Sequence, residues 1–462
     1  DTLVVNVHSP LSIKILATVW TYSGCHGPPR PPVAREVKTS SRQPRVSQST
    51  SATTDRLPSE VSASADGLHA RRATGWPFQA ERFPVQWFNM LTRVESSFKE
   101  ARALGNCGSR EGPCAQAYFD VVGGSGAALA MNMQQWGFYD APREPPPFPD
   151  LQRMWASHVL SWSKFWNDSY IEFSSSPITE FHWYMSQYVL GVSSGGEAAP
   201  GLFGPFVFDD EVNWSGDITL NYNAEAVYYG AGAANHLDVF EPYFKTVLEY
   251  LPAAKRSASQ RVPDCSGALH FPGHILPLGV SSGDKGDMGQ KQMGLFAAVP
   301  FILFWRFTRD VSFAARALPL LLGLAAFWEC ALRPGDDFKL HDMFDCAEEL
   351  CIPDGDLQPD PTVVLSFLPC LFETLADMTA ALDVEEEGRK RWRAIAQHIT
   401  PYPTELVDGA EVIADFFGGE GERGLALRFH AGGSVAWGGL FAAFPLGTVG
   451  LGSGQKDLSL VK

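Results

Sequence analysis

The stretch "QMGLFAAVPFILFWRFTRDVSFAARALPLLLGLAAFWECAL" (Gln292–Leu332) places two long apolar runs on either side of Arg309-Asp310. The first run, Met293 to Trp305, meets a charge at Arg306 and is too short to cross a bilayer. It reads as a buried helix, and the second run reads the same way. Two buried helices in succession with no strand between them point to paired helices rather than to an α/β alternation.

The same texture extends outward. Downstream, "PTVVLSFLPCLFETLADMTAAL" and "EEEGRKRWRAIAQHI" have helical spacing, the second with one polar face. Upstream, "PDLQRMWASHVLSWSKFWNDSYIEF" puts Trp155, His158, Trp162 and Trp166 on one stripe, and "ITEFHWYMSQYVLGVSS" follows as a second helix. His158 and His182, on aromatic faces, read as packed residues rather than as catalysts. Long Gly/Pro/Asp-rich loops separate the helices at 191–217, 258–287 and 332–361. Consecutive helices of this kind close into a toroid or stack into a solenoid, and in a toroid the loops gather at one mouth.

The region before residue 84 differs. Residues 1–25 alternate loosely and read as two strands, the end of an N-terminal β-sandwich. Residues 26–83 are rich in Ser, Thr, Pro and Arg and read as a disordered linker or insertion. "PVQWFNMLTRVESSFKEARAL", from residue 84, has helical spacing and is taken as the start of the helical domain, 84–462.

The 462 residues carry a formal net charge of -16, which disfavours nucleic acid and anionic lipid as partners. Thirteen Trp permit stacking on sugar rings. Of the eight cysteines, Cys107/Cys114 and Cys346/Cys351 are spaced to close small loops, with free buried thiols the alternative. Two Asn-x-Ser sequons, at Asn167 and Asn213, tilt the compartment toward secreted or lumenal.

Two stretches carry chemistry. "NWSGDITLNYNAEAVYYG" centres on Asn221-Tyr222-Asn223, flanked by Trp214, Asp217, Glu225 and Tyr229. Amides one residue apart hold a water or a sugar hydroxyl well, and they also cap helices; both readings stand. "HDMFDCAEELCIPDGDLQPD" crowds Asp342, Asp345, Glu348 and Glu349 with further carboxylates, which raise one another's pKa as a general acid requires. The alternative is a solvated acidic loop. Neither "SSGDKGDMGQKQMG" nor "GLGSGQKDL" supplies a Walker motif, and no nucleophile elbow, HExxH or dinucleotide fingerprint occurs.

In order, the Trp-bearing helix, the Asn-x-Asn segment, the apolar helix pair and "FPLGTVGL" resemble the catalytic domain of glycoside hydrolase family 95, the α-L-fucosidases, from about residue 150 onward. The resemblance implies a mainly α fold, an (α/α)6 toroid of the six-hairpin glycosidase type, covered in part by this chain. It implies inverting hydrolysis of a terminal α-L-fucosyl or α-L-galactosyl residue in an oligosaccharide or glycoconjugate, with no cofactor and no metal. Asn221 and Asn223 are then the water holders and Glu349, with Glu348 second, the general acid. Trp214, Asp217, Tyr229, Asp345 and Glu348 are the substrate-binding candidates. The residues around Glu349 depart from the Ser-Pro-Glu-Asn pattern of the family. The family's downstream Gln-x-Asp-Gly-Asn-like stretch, whose carboxylate assists the Asn pair, does not occur before Lys462. Truncation, substitution by Asp217, or loss of activity are the expectations this leaves. A disaccharide phosphorylase on the same barrel and a sugar-binding pseudoenzyme are the alternatives.

Overall fold

A computed structural model describes residues 2–8, 10–20, 59–74, 86–94, 98–104, 114–122, 124, 126–135, 150–204, 206, 216–281, 290–343, 345–346, 357–407, 409–416 and 438–450. Two compact units result, one of residues 1–163 with 208–211, the other of residues 164–207 with 212–462.

The first unit is built on antiparallel strands. Its sheets are five-stranded, in the order β1 (Thr2–His8), β8 (Gly126–Gln135), β5 (Gln86–Val94), β4 (Leu68–Thr74), β3 (Ser59–Ala63), and three-stranded, in the order β2 (Ile13–Trp20), β7 (Cys114–Val121), β6 (Lys99–Leu104). Along β7, Ala115, Ala117, Phe119 and Val121 are buried while the residues between them are not, the period-two pattern of a strand with one face inward. They meet Leu68, Ala70, Val94 and Phe98 in one core. The sandwich therefore reaches Gln135 instead of ending near residue 25.

Two sequence expectations are corrected here. The helical spacing read from residue 84 belongs to β5 and β6. Strand β5 pairs with β4 on one side and β8 on the other, and those ladders override a local apolar spacing that suits helix and strand alike. The stretch read as linker contains β3 and β4, where Val61, Ala63, Leu68 and Ala70 supply the apolar side of an alternation hidden by Ser and Arg. Residues 21–58 lie outside the described residues.

The second unit is helical. It takes in the end of α1 (Leu151–Asp168), which begins in the first unit, and α2 (Pro177–Ser193), followed by the short β9 (Ile218–Thr219) and α3 (Asn223–Ala226). A 3-10 turn (Leu237–Phe240) leads into α4 (Glu241–Glu249) and α5 (Leu251–Arg261), then β10 (His274–Leu276) and β11 (Val280–Ser281). The apolar pair is α6 (Met293–Thr308) and α7 (Val311–Ala331); β12 (Arg333–Pro334) and β13 (Leu340–His341) precede α8 (Thr362–Ala381) and α9 (Glu386–His398). A hairpin of β14 (Thr404–Val407) and β15 (Ala410–Ile413) and the helix α10 (Gly438–Ala443) complete the described elements.

Burial alternates along these helices as inner and outer members of helical hairpins require. Helix α6 buries 12 of its 16 residues and α8 buries 15 of 20, whereas α9 buries only Gly388 and Trp392. This is the partial (α/α)6 toroid expected from the sequence. Helices α7 and α8 are long and apolar enough to cross a membrane by length and composition, yet most of each is packed inside the unit. Polar clips fix neighbouring helices: Trp305 Nε1 donates to Asp377 at 2.9 Å between α6 and α8, and Trp392 Nε1 donates to Glu329 at 2.7 Å between α9 and α7. Arg316 of α7 grips both oxygens of Glu241 at 2.7 Å.

Candidate active site

The Asn-x-Asn segment hangs between β9 and α3. Strand β9 is held by β10, with Thr219 opposite His274, and the Leu220 N–H continues the pairing by donating to Gly273 at 2.7 Å. Just upstream, Gly201 packs on Gly216 so closely that a Cβ would lie 2.1 Å from the Gly216 carbonyl oxygen. That approach lets the Leu202 N–H reach the Asp217 carbonyl at 2.8 Å and anchors the loop that leads into β9.

Asp217 is 3% exposed. Its Oδ1 accepts from the Thr219 hydroxyl at 3.1 Å and lies 3.1 Å from His274 Nδ1. The Asp217–His274 pair was only half legible in the sequence, because His274 enters through the β9–β10 register and not through spacing.

The chain then twists sharply. Tyr222 has φ +103° and ψ −41°, a conformation costly for a bulky L residue. Asn221 before it is half-buried and Asn223 after it is exposed. Asn223 lines a cavity of about 610 Å³ together with Met185, Leu190, Leu202, Phe203 and Tyr228. His182, exposed on α2, lines it too, and His158 is exposed on α1, so neither is the packed core histidine expected. Tyr229 is buried beside Phe444, with ring centroids 5.7 Å apart.

Behind the pair sits Glu225, with no exposed surface. Its Oε2 accepts the Tyr222 N–H at 3.2 Å, and its Oε1 lies 3.4 Å from the Tyr243 hydroxyl. Desolvation pushes this carboxyl up to about 8.

The acidic stretch folds into a buried ionic network rather than a solvated loop. Asp342 and Asp345 are fully buried. Lys291 binds Asp342 through its ammonium and Asp345 through its backbone N–H at 2.9 Å. Asp345 also accepts the Cys346 N–H at 2.7 Å. Burial first, then the Asp342 charge, hold the Asp345 carboxyl well above the usual range; burial also raises Asp342 against the pull of Lys291. His341 bridges Asp360 at 2.7 Å and Asp337 at 3.0 Å. Burial opposes the imidazolium, and these two carboxylates more than offset it, so His341 is held above its ordinary value. Lys291 was not singled out in the sequence, where Asp360 stands among the crowded carboxylates. Trp214, Glu348 and Glu349 lie outside the described residues, as do Cys107 and Cys351.

Helices paired as inner and outer members of hairpins define a protein of the six-hairpin glycosidase class. The sequence matches the glycosyl hydrolase family 95 catalytic domain over residues 169–409, more than half of the chain, and the chain belongs to that family. No curated protein matches it in sequence. Among solved structures it is similar to a putative kojibiose phosphorylase from human microbiome (9% identity, TM-score 0.48, covering 87% of this chain and 51% of that one). It is also similar to a bacterial glucoamylase complexed with acarbose (11%, 0.44, 76% and 53%). A family GH92 alpha-mannosidase from Bacteroides thetaiotaomicron is a further likeness (11%, 0.35, 73% and 42%). The chain thus spans about half the length of the first two of these structures.

Proposed function

We propose that this domain hydrolyses terminal α-L-fucosyl or α-L-galactosyl residues with inversion at the anomeric carbon. The observation that supports the reading is the Asn221–Tyr222–Asn223 twist, placed at the edge of a cavity in a family 95 catalytic domain. Asn221 and Asn223 hold the attacking water on one face of the sugar. Glu349, or Glu348 beside it, gives its proton to the glycosidic oxygen on the other. The water loses a proton as its oxygen bonds to the anomeric carbon, and the leaving alcohol departs protonated. Asp217, upstream of the Asn pair, takes that proton in place of the family's downstream carboxylate. The two sugars differ only by a hydroxyl on C6, which an apolar pocket rejects weakly.

The test is incubation of the folded chain with fucosylated and L-galactosylated oligosaccharides, with the released sugar followed by proton NMR from the first minute. The β-anomer appears first from an α-linked substrate if the reading is right. Release that depends on added phosphate indicates a phosphorylase, and binding without release a sugar-binding pseudoenzyme.

A further inference from the structure

Tyr222 is the single residue between the two amides, so its backbone angles set how Asn221 and Asn223 are directed relative to each other. Those angles, φ +103° and ψ −41°, are unfavourable for a side chain of this size, and surrounding contacts must hold them. Two contacts do so. The Tyr222 carbonyl accepts the Ala226 N–H at 2.8 Å, and the Tyr222 N–H is taken by Glu225 Oε2 at 3.2 Å.

We propose that Glu225 is a positioning residue of the site: through the Tyr222 N–H it fixes the twist that aims the Asn221 and Asn223 amides. It acts in its neutral form. The Tyr243 hydroxyl donates to the Ala297 carbonyl at 3.1 Å, which leaves the Tyr243 oxygen as an acceptor for a proton on Glu225 Oε1, 3.4 Å away. The ionisable groups set around this carboxyl are phenols: Tyr243 from α4, with Tyr228 and Tyr229 from the turn after α3. Strand β9 presents Ile218 and Thr219, and α6 the Ala297 carbonyl. A carboxylate there has no cation to meet among these groups; ionisation removes the proton that meets the Tyr243 oxygen and strengthens acceptance from the Tyr222 N–H, so both contacts of the clamp change together. The consequence for catalysis rests on the water-holding reading of the two Asn; the clamp itself does not.

The experiment uses the full chain labelled with 15N-asparagine. The Asn221 and Asn223 side-chain amide signals, assigned with N221S and N223S, are followed from about pH 6 to about pH 9.5 in wild type, E225Q and E225A. In wild type both signals move together with a midpoint near the value of about 8 given by burial. In E225Q, which keeps an acceptor for the Tyr222 N–H and cannot ionise, they stay flat. In E225A both are displaced at every pH, and kcat falls by about 10²-fold with KM little changed, while E225Q restores it. Signals in E225A that coincide with wild type, or a titration that survives in E225Q, overturn the proposal. If E225A does not fold, the comparison of E225Q with wild type still decides. A wild type that shows the titration but hydrolyses no glycoside sinks the hydrolase reading and leaves the clamp standing.

Discussion

At the scale of the residue, the strongest statements concern polar groups without solvent. Asn223 is exposed at the cavity, so Asn223→Ala removes an amide without removing packing. If the two amides fix the water, N221A and N223A each lower kcat by about 10²-fold or more with an unchanged melting temperature for N223A. Steady-state kinetics with calorimetry checks this, and losses below roughly tenfold return the pair to a capping role. Lys291 gives a prediction with a sign in pH. Asp345 and Asp342 carry raised pKa values in the fold, so each contributes stability that is complete below the ordinary carboxylate range and is lost as pH rises through its folded value. Lys291→Met removes the cation that opposes this for Asp342. The variant should lose on the order of 3 kcal/mol near neutral pH and recover toward wild type below about pH 4, where folded and unfolded carboxyls alike are protonated. Urea melts at the two pH values check it, and a loss that does not shrink in acid would show that Lys291 matters through packing on Trp328 instead. The site was legible as residue types but not as geometry. Asn-x-Asn and the acidic run are visible in the sequence, whereas the positive φ of Tyr222 leaves no mark in residue type, and the burial of Glu225 against Tyr243 and the Lys291–Asp342 pair depend on contacts between segments far apart in the chain.

At the scale of the element, the apolar runs were read well because a core helix announces itself by length and hydropathy. Helices α6 and α7 break where Arg309-Asp310 interrupts the run, and Arg309 takes φ +53° there. Asp310 caps α7, its carboxylate accepting from Ser312 N at 2.8 Å, Phe313 N at 3.2 Å and the Ser312 hydroxyl at 2.7 Å. These bonds hold its carboxyl below the usual range. Asp310→Ala leaves the N-terminal amides of the 21-residue α7 to solvent and should lower the denaturation midpoint, with Asp310→Asn nearly neutral. Chemical denaturation of the two variants separates the cap from the charge. The strands were read poorly for the converse reason. A half-buried strand in a small sandwich needs only alternate Ala and Val inward, as at Val61, Ala63, Leu68 and Ala70, and such residues among Ser and Arg carry no strong local signal. Only the partner strand makes the pattern decisive.

At the scale of the whole molecule, covalent and long-range links decide how the helical unit holds its loops. Beside the two short-loop cysteine pairs read from the sequence, whose partners Cys107 and Cys351 lie outside the described residues, a disulfide between described residues joins Cys265, after α5, to Cys330, near the end of α7, and Cys346 is disulfide-bonded as well. Cysteine spacing cannot give such a connectivity, because the partners are brought together by packing and not by proximity in the chain. The bridge closes a loop with a sequence separation of 65, which contains β10, α6 and Lys291. A loop of that length removes more denatured-state entropy than a local one, and the chain-entropy relation gives about 4 kcal/mol. Cys265→Ser with Cys330→Ser should therefore lower the unfolding free energy of the helical unit by roughly 2–4 kcal/mol, and reductant on the wild type should produce at least that loss, since it also opens the disulfide of Cys346. Free Cys370 is buried under Arg306, whose guanidinium donates to its sulfur at 2.9 Å, and is shielded from exchange. The measurement is a calorimetric scan of wild type and double variant with and without reductant. If the entropy argument holds, reductant shifts the transition of the helical unit further in the wild type than in the double variant, which keeps the disulfide of Cys346. A wild type insensitive to reductant would mean that the packing of the segment after α5 on α7, where Leu269 meets Gly323, alone carries the stability, with the bridge following from it.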